Sequence, residues 1–149
     1  RAPARVDMDE LAALNARIIH TLDYDAVSDR LPEGMSTEAW AAIRPNLKTV
    51  AEAADWWAIV EGPIAHAAPA EDRDFLRAAA EAAEAIDWAD KPWAALTATL
   101  KQSSGRSGKA LFLPLRQALT GRDSGPEMAA LLPLIGKQAA IDRLRAAAA

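Results

Sequence analysis

The residues best suited to recognition chemistry lie between Gly105 and Gly136, in the run GRSGKALFLPLRQALTGRDSGPEMAALLPLIG. Lys101, Arg106, Lys109, Arg116 and Arg122 fall in or just before this run, with no acid between positions 101 and 122, whereas Asp and Glu crowd residues 7–38 and 52–90. Two apolar stretches, ALFLPL and MAALLPLI, flank the polar turn TGRDSGPE. Pro126 follows Gly125, and the spacing predicts that it opens the next helix at the first helical position, where its missing N–H is not needed and the free N–H groups point outward. A helix N-terminus beside Arg116 and Arg122 suits phosphates or base edges. An ordinary solvated basic face explains the same charge pattern equally well.

Bond-making chemistry is not written in the chain. Acid–base or nucleophilic catalysis needs clustered titratable groups in an apolar or glycine-rich cradle, and none is visible. There is no Walker loop, no G-x-G-x-x-G and no metal-ligand spacing. His20 falls at a helix end, where a histidine is most often a dipole partner or a packed surface residue, and His66 stands alone in a loop. The chain has no cysteine, which excludes disulfides and thiolate zinc sites. A catalytic, cofactor-binding or metal site is therefore not expected.

The elements that must position the basic run are helices. Of the 149 residues 51% are hydrophobic, alanine leads them, aromatics are 5%, and β-branched runs are absent, so sheet is not expected. The length fits one domain, cut from something larger or renumbered, since position 1 is arginine. No run of about eighteen apolar residues and no basic-then-apolar leader is present, so neither a membrane span nor a signal peptide is expected, and the cytoplasm suits the composition. Asp7 and Glu10 have capping-box spacing ahead of Leu11, Leu14, Ile18 and Leu22, which predicts a first helix with those four residues facing inward. Tyr24–Leu31 reads as a second short helix, and Ser36 or Thr37 as the cap of a third that carries Trp40 and Ile43.

Arg44-Pro45-Asn46 forms an exposed inter-helix turn, because proline stops the third helix and Thr49 with Glu52 caps a fourth. That fourth helix carries Trp56 and Trp57, one toward the core and one at its boundary. An Ala/Glu-rich helix from about residue 71 to 86 buries Phe75, Leu76, Ala79, Ala83 and Ile86. A further helix starts near Pro92, runs through Leu96 and Leu100, and ends at Ser103 and Ser104. Pro114 predicts a break, giving separate pieces over 107–112 and 114–119, closed by Gly121, with Leu111, Leu115, Ala118 and Leu119 inward and Arg116 outward. The last helix runs from Lys137 to about Arg145, and the terminal alanines are expected to fray.

The string GRSGKALFLPLRQALTGRDSGPEMAALLPLIGK resembles the C-terminal anticodon-binding domain of bacterial glutamyl-tRNA synthetases, whose members share a PLR-x-ALTG core, a proline turn and an LLPLIG-like helix. ELAALNARIIHTLDYDAVSDRL resembles the helix that opens the same domain. The resemblance implies an all-α, cage-like domain of two helical subdomains. Residues 1–60 form the first, 61–95 are connecting helices and 96–149 form the second. It implies a partner, the anticodon stem-loop of tRNA(Glu), with tRNA(Gln) a possible second, and the catalytic domain of a full-length glutamate–tRNA ligase. ATP and Mg2+ belong to that catalytic body, whose signature motifs are absent here, so this chain alone should not charge tRNA. The alternative is a helical protein-interaction module that has kept the fold.

By position in the motif, the resemblance implies RNA contacts at Arg116, Arg122, Gly125, Pro126 and Met128, and charge alone adds Lys101, Arg106 and Lys109. Some members of the family place an arginine in the turn corresponding to Arg44-Pro45-Asn46 to read the third anticodon base. That position is Asn46 here, with Arg44 beside it as the other candidate.

Overall fold

The computed structural model describes residues 8–149. Among these the chain forms nine α-helices: α1 (Met8–Ile19), α2 (Tyr24–Val27), α3 (Thr37–Ile43), α4 (Glu52–Glu61), α5 (Ala70–Ala85), α6 (Pro92–Ser104), α7 (Lys109–Thr120), α8 (Met128–Ile135) and α9 (Lys137–Ala148). Short 3-10 turns cover Ser28–Arg30 and Arg44–Asn46, and the described residues contain no strand. The fold class is all-α. The described residues up to Ala58 make one compact unit and Ile59–Ala149 make a second, so residues 61–95 fall within the second.

In the first unit, Val27, Met35, Trp40, Ile43, Leu47 and Trp56 build the core. Two caps start its helices. Ser36 Oγ accepts from the Ala39 amide at 3.1 Å. Glu52 Oε1 accepts from the Thr49 amide at 2.8 Å, while Thr49 Oγ1 accepts from the Glu52 amide at 3.3 Å, a reciprocal capping box contributing about 1 kcal/mol. Trp57, next to the buried Trp56, is half-buried, as a step of about 100° around a helix requires.

The first helix departs from expectation. Asp7, its anticipated cap, lies outside the described residues. The stripe on the helix is apolar but not inward: Met8, Leu11, Leu14 and Ile18 are 39–71% exposed, Leu22 is half-buried, and Ile19 is the buried residue of α1. Periodicity reveals which residues share a face; it does not reveal what covers that face.

In the second unit, α5 packs along α9, and α6, α7 and α8 close around them. Leu76, Leu96, Leu100, Leu111, Leu115, Leu119, Leu131, Leu132 and Leu144 are fully buried, each contributing about 2 kcal/mol. The alanines at the chain end do not fray. Ala147 and Ala148 are buried, the Ala68 amide donates to the Ala147 carbonyl at 2.9 Å, and Arg77 Nη2 donates to the Ala148 carbonyl at 3.1 Å. α9 therefore runs three residues further than expected. Small side chains let it approach α5 closely.

Pro114 does not break α7, which runs continuously from Lys109 to Thr120. A proline here removes the N–H that would bond the Ala110 carbonyl one turn back. The structure supplies a replacement, because Arg106 Nη1 donates to the Ala110 carbonyl at 3.2 Å. The same guanidinium pairs with Asp72 at 2.8 Å, donates to the Glu71 carbonyl at 3.0 Å, and lies 4.4 Å from the centre of the Phe75 ring. Arg106 thus ties the start of α7 to the start of α5.

The Arg106→Ala variant should lose the proline compensation, the ion pair and the cation–π contact together. We expect a destabilisation of about 2 kcal/mol, read as a lower midpoint in urea. Arg106→Lys should recover part of it, since one ammonium cannot reach all four partners at once. An unchanged midpoint for the alanine variant would show that α7 tolerates Pro114 unaided.

Candidate nucleic-acid interface

Between α7 and α8 the chain turns through 121–127, and three side chains within four positions of one another on α7 fix that turn. Arg116 Nη1 donates to the Pro126 carbonyl at 3.0 Å. Gln117 Nε2 donates to Asp123 Oδ1 at 2.8 Å. Thr120 Oγ1 donates to its own helix at the Arg116 carbonyl, 2.7 Å away, and accepts from the Arg122 amide at 3.0 Å. Gly121 ends α7 in the left-handed region at φ 74°.

Helix α8 begins at Met128, not at Pro126. The amides of Ala130 and Leu131 both bond the Glu127 carbonyl, which makes Glu127 the cap. The Pro126 carbonyl belongs instead to Arg116, outside the helical ladder. Holding this carbonyl draws Arg116 in. It is half-buried rather than outward, and its pKa is lowered by loss of hydration, with the nearby Glu127 charge acting in the opposite direction. A guanidinium has five N–H donors in a rigid plane, so one nitrogen can anchor the turn while others remain available.

The anticipated contacts separate into groups. Gly125 is half-buried; Pro126 and Met128 are buried, Met128 only 3% exposed and part of the core under α8. Lys101, Lys109 and Arg122 are exposed. Arg106 is occupied by Asp72 and two backbone carbonyls, as described above. Arg44 and Asn46 lie in the first unit, on the 3-10 turn after α3. Arg44 Nη1 donates to the Leu22 carbonyl at 2.8 Å, an oxygen that also accepts from Trp40 Nε1 at 2.7 Å, and it stands 3.8 Å from Asp23. Asn46 is exposed. Of the two histidines, His20 Nε2 bonds the carbonyl of Leu47, the residue that closes the Arg44–Asn46 turn, at 3.0 Å, and His66 is half-buried in the loop after α4.

Three residues absent from the sequence reading also shape this end of the second unit. Gln117 and Thr120 act on the turn directly; their spacing of one and four from Arg116 was the available signal. Arg143 acts from α9. Its Nη1 donates to the Leu119 carbonyl at 2.9 Å and its Nη2 to the Val60 carbonyl at 3.0 Å, so it joins the last turn of α7 to the end of α4. Loss of hydration lowers its pKa. Gly62 makes room for it: at φ +72°, a Cβ there would sit 2.7 Å from Arg143 Nη2. A separation of 83 residues between Val60 and Arg143 leaves no local pattern to read.

Among the described residues no group of three or more His, Cys, Asp or Glu is placed to hold a metal, and no helix is long and apolar enough to cross a membrane. The site is one of pinned backbone and cations.

Comparison with known proteins agrees with this geometry. Residues 13–148 match the family described as an anticodon binding domain. Glutamate–tRNA ligase 1 of Rhizorhabdus wittichii is 65% identical over 148 residues, covering 99% of this chain and 33% of that protein. Glutamate–tRNA ligase 2 of Sphingopyxis alaskensis is 60% identical over 148 residues, covering 99% and 34%. The chain thus spans about a third of the length of these curated relatives and matches their C-terminal part. A crystal structure of a glutamate tRNA ligase from Elizabethkingia meningosepticum in complex with its amino acid superposes with a TM-score of 0.72 at 17% identity, over 96% of this chain and 32% of that one, a likeness of fold. With the family matched over nearly its whole length, the chain belongs to the anticodon-binding domains and corresponds to the C-terminal region of a bacterial glutamate–tRNA ligase.

Proposed function

We propose that this domain binds the anticodon stem-loop of tRNA(Glu) and so selects the tRNA that a cytoplasmic, ATP-dependent glutamate–tRNA ligase charges. The observation that carries the reading is the turn over 121–127, pinned from within the chain by Arg116, Gln117 and Thr120. A loop already held in one conformation loses less entropy on binding, so more of each contact appears as affinity. Chemistry on ATP and glutamate belongs to the remainder of the ligase, and the domain alone carries no charging activity.

The roles divide by exposure. Arg116 is the pre-organised reader, anchored through Nη1 and offering its remaining donors to a base edge or a backbone phosphate. Arg122, Lys101 and Lys109 supply exposed charge that attracts the phosphate chain. Gly125 and Pro126 shape the backbone surface of the turn, and the buried Met128 supports it from the core. Arg106 contributes through the fold, by holding α7 to α5.

On the first unit, Asn46 is the residue that meets the third anticodon base. Arg44 is engaged with Leu22 and Asp23, which leaves the shorter, exposed asparagine at that turn. Asparagine offers a donor and an acceptor, whereas arginine offers donors only, so it rejects guanine in place of cytosine less firmly. Some charging of tRNA(Gln) follows from this.

Two outcomes test the reading. Arg116→Ala should weaken tRNA(Glu) binding by about 1–3 kcal/mol, and Arg116→Lys should not restore it, because a single ammonium cannot hold Pro126 and meet the RNA together; equal affinity in a folded alanine variant would remove Arg116 from the interface. In the full-length ligase carrying this domain, Asn46→Arg should lower charging of tRNA(Gln) relative to tRNA(Glu) by roughly tenfold. A parent enzyme that already excludes tRNA(Gln), unaltered by the substitution, would reduce Asn46 to a turn residue.

A further inference from the structure

Within the second unit, Phe112 is the one large hydrophobic side chain left substantially exposed, at 45%, while Leu111 and Leu115 near it are buried and Leu113 is half-buried. It stands on the outward face of α7 beside the half-buried Trp93 of α6, with ring centres 6.3 Å apart and planes tilted by 39°. Offset aromatic pairs at this separation hold each other's orientation. Lys109 and Arg116 lie three positions before and four after Phe112, and so share its face of the helix.

Along the chain, the segment that carries both rings is basic, with Glu127 the acid near Arg116. From Lys91 to Arg122 the sequence contains six cations and no acid. Asp72, whose carboxylate comes close to the start of α7, is already paired with Arg106 at 2.8 Å. An apolar patch made to receive a protein segment would usually be larger and rimmed by both signs of charge. An aromatic surface between two cations, on the helix that leads into the pinned turn, has instead the character of a stacking platform for a single-stranded polyanion.

We infer that Phe112, braced by Trp93, is a base-stacking subsite that receives an unpaired nucleotide of the tRNA anticodon loop next to the bases met by the turn over 121–127. The inference rests on the anticodon-binding reading above and extends it to residues for which neither charge nor motif position gives a role. One helical turn, about 6 Å of axis, separates Phe112 from Arg116, so a base stacked on the ring leaves its phosphate within reach of Lys109 or Arg116. Stacking engages the π-face common to all bases, and this subsite therefore adds affinity without choosing sequence.

The experiment is a binding titration of the chain with an RNA hairpin carrying the tRNA(Glu) anticodon loop, by fluorescence anisotropy at several salt concentrations. Wild type, Phe112→Leu, Phe112→Tyr and Lys109→Gln are compared, each checked for helical content and for sedimentation as the same species. Phe112→Leu should weaken binding by roughly tenfold, with the slope of log affinity against log salt unchanged, because no phosphate contact is lost. Phe112→Tyr should bind as the wild type does. Lys109→Gln should instead flatten the salt slope by about one. Tight hairpin binding that Phe112→Leu leaves intact would overturn the stacking subsite while the anticodon-binding reading stands. Failure of the wild-type chain to bind the hairpin at all would remove both. Self-association of the wild type that Phe112→Leu abolishes, with RNA affinity unchanged, would give the ring to a second copy of the chain and end the proposal.

Discussion

The second unit depends on the Ala110 carbonyl, which Pro114 deprives of its helical N–H and Arg106 satisfies from outside the ladder. Because the same guanidinium also holds Asp72, the Glu71 carbonyl and the Phe75 ring, the repair of one helix becomes the joint between two. α5 in turn lies along α9, and α9 sends Arg143 back to the last turn of α7. α7 is thereby gripped near both ends by arginines from other parts of the chain. The turn that follows it inherits a defined point of departure, and Arg116, Gln117 and Thr120 hold a loop whose base is tied to neighbouring helices.

Apart from the Glu71 carbonyl in the first turn of α5, the carbonyls that these arginines bond lie at or near places where the helical ladder is interrupted or ends. Carbonyl oxygens there lack an N–H partner, and a buried one costs free energy until something donates to it. Guanidinium is suited to this because its planar donors can serve two oxygens simultaneously, as Arg143 does for Leu119 and Val60. The domain uses its cations twice, some to complete its own backbone and others, at Lys101, Lys109 and Arg122, for the exposed face. Counting positive charge along the sequence cannot separate the two uses. Arg106 and Lys109 are three residues apart, yet one is engaged on four sides and the other is exposed.

The helices were legible because their signals are local: the Ser36 cap, the Thr49–Glu52 capping box, Pro92 at the start of α6 and Gly121 at the end of α7 all act within a few residues. The order of residues around PLRQALTG also located the turn. What escaped the sequence is compensation at a distance. Continuity of α7 through Pro114 depends on a cation outside the helix, and ordering of Ala147 and Ala148 depends on Ala68 and Arg77, far back in the chain. The stripe of Leu11, Leu14 and Ile18 shows the converse. Its period is local and correct, but burial is a property of neighbours, and these residues are exposed.

Gly62 is constrained twice, by a backbone angle of +72° and by Arg143 Nη2 lying 2.7 Å from where a Cβ would be. The two constraints have different histories available to them. A lineage that replaced Arg143 with a smaller residue would release the steric half, and asparagine or aspartate, which tolerate left-handed backbone better than other side chains, could then drift into position 62. The reverse order costs more, because a side chain arriving first at 62 must push the guanidinium away from the two carbonyls it bonds. Across relatives, loss of the arginine should therefore precede loss of the glycine, an order of substitutions written into the contact itself.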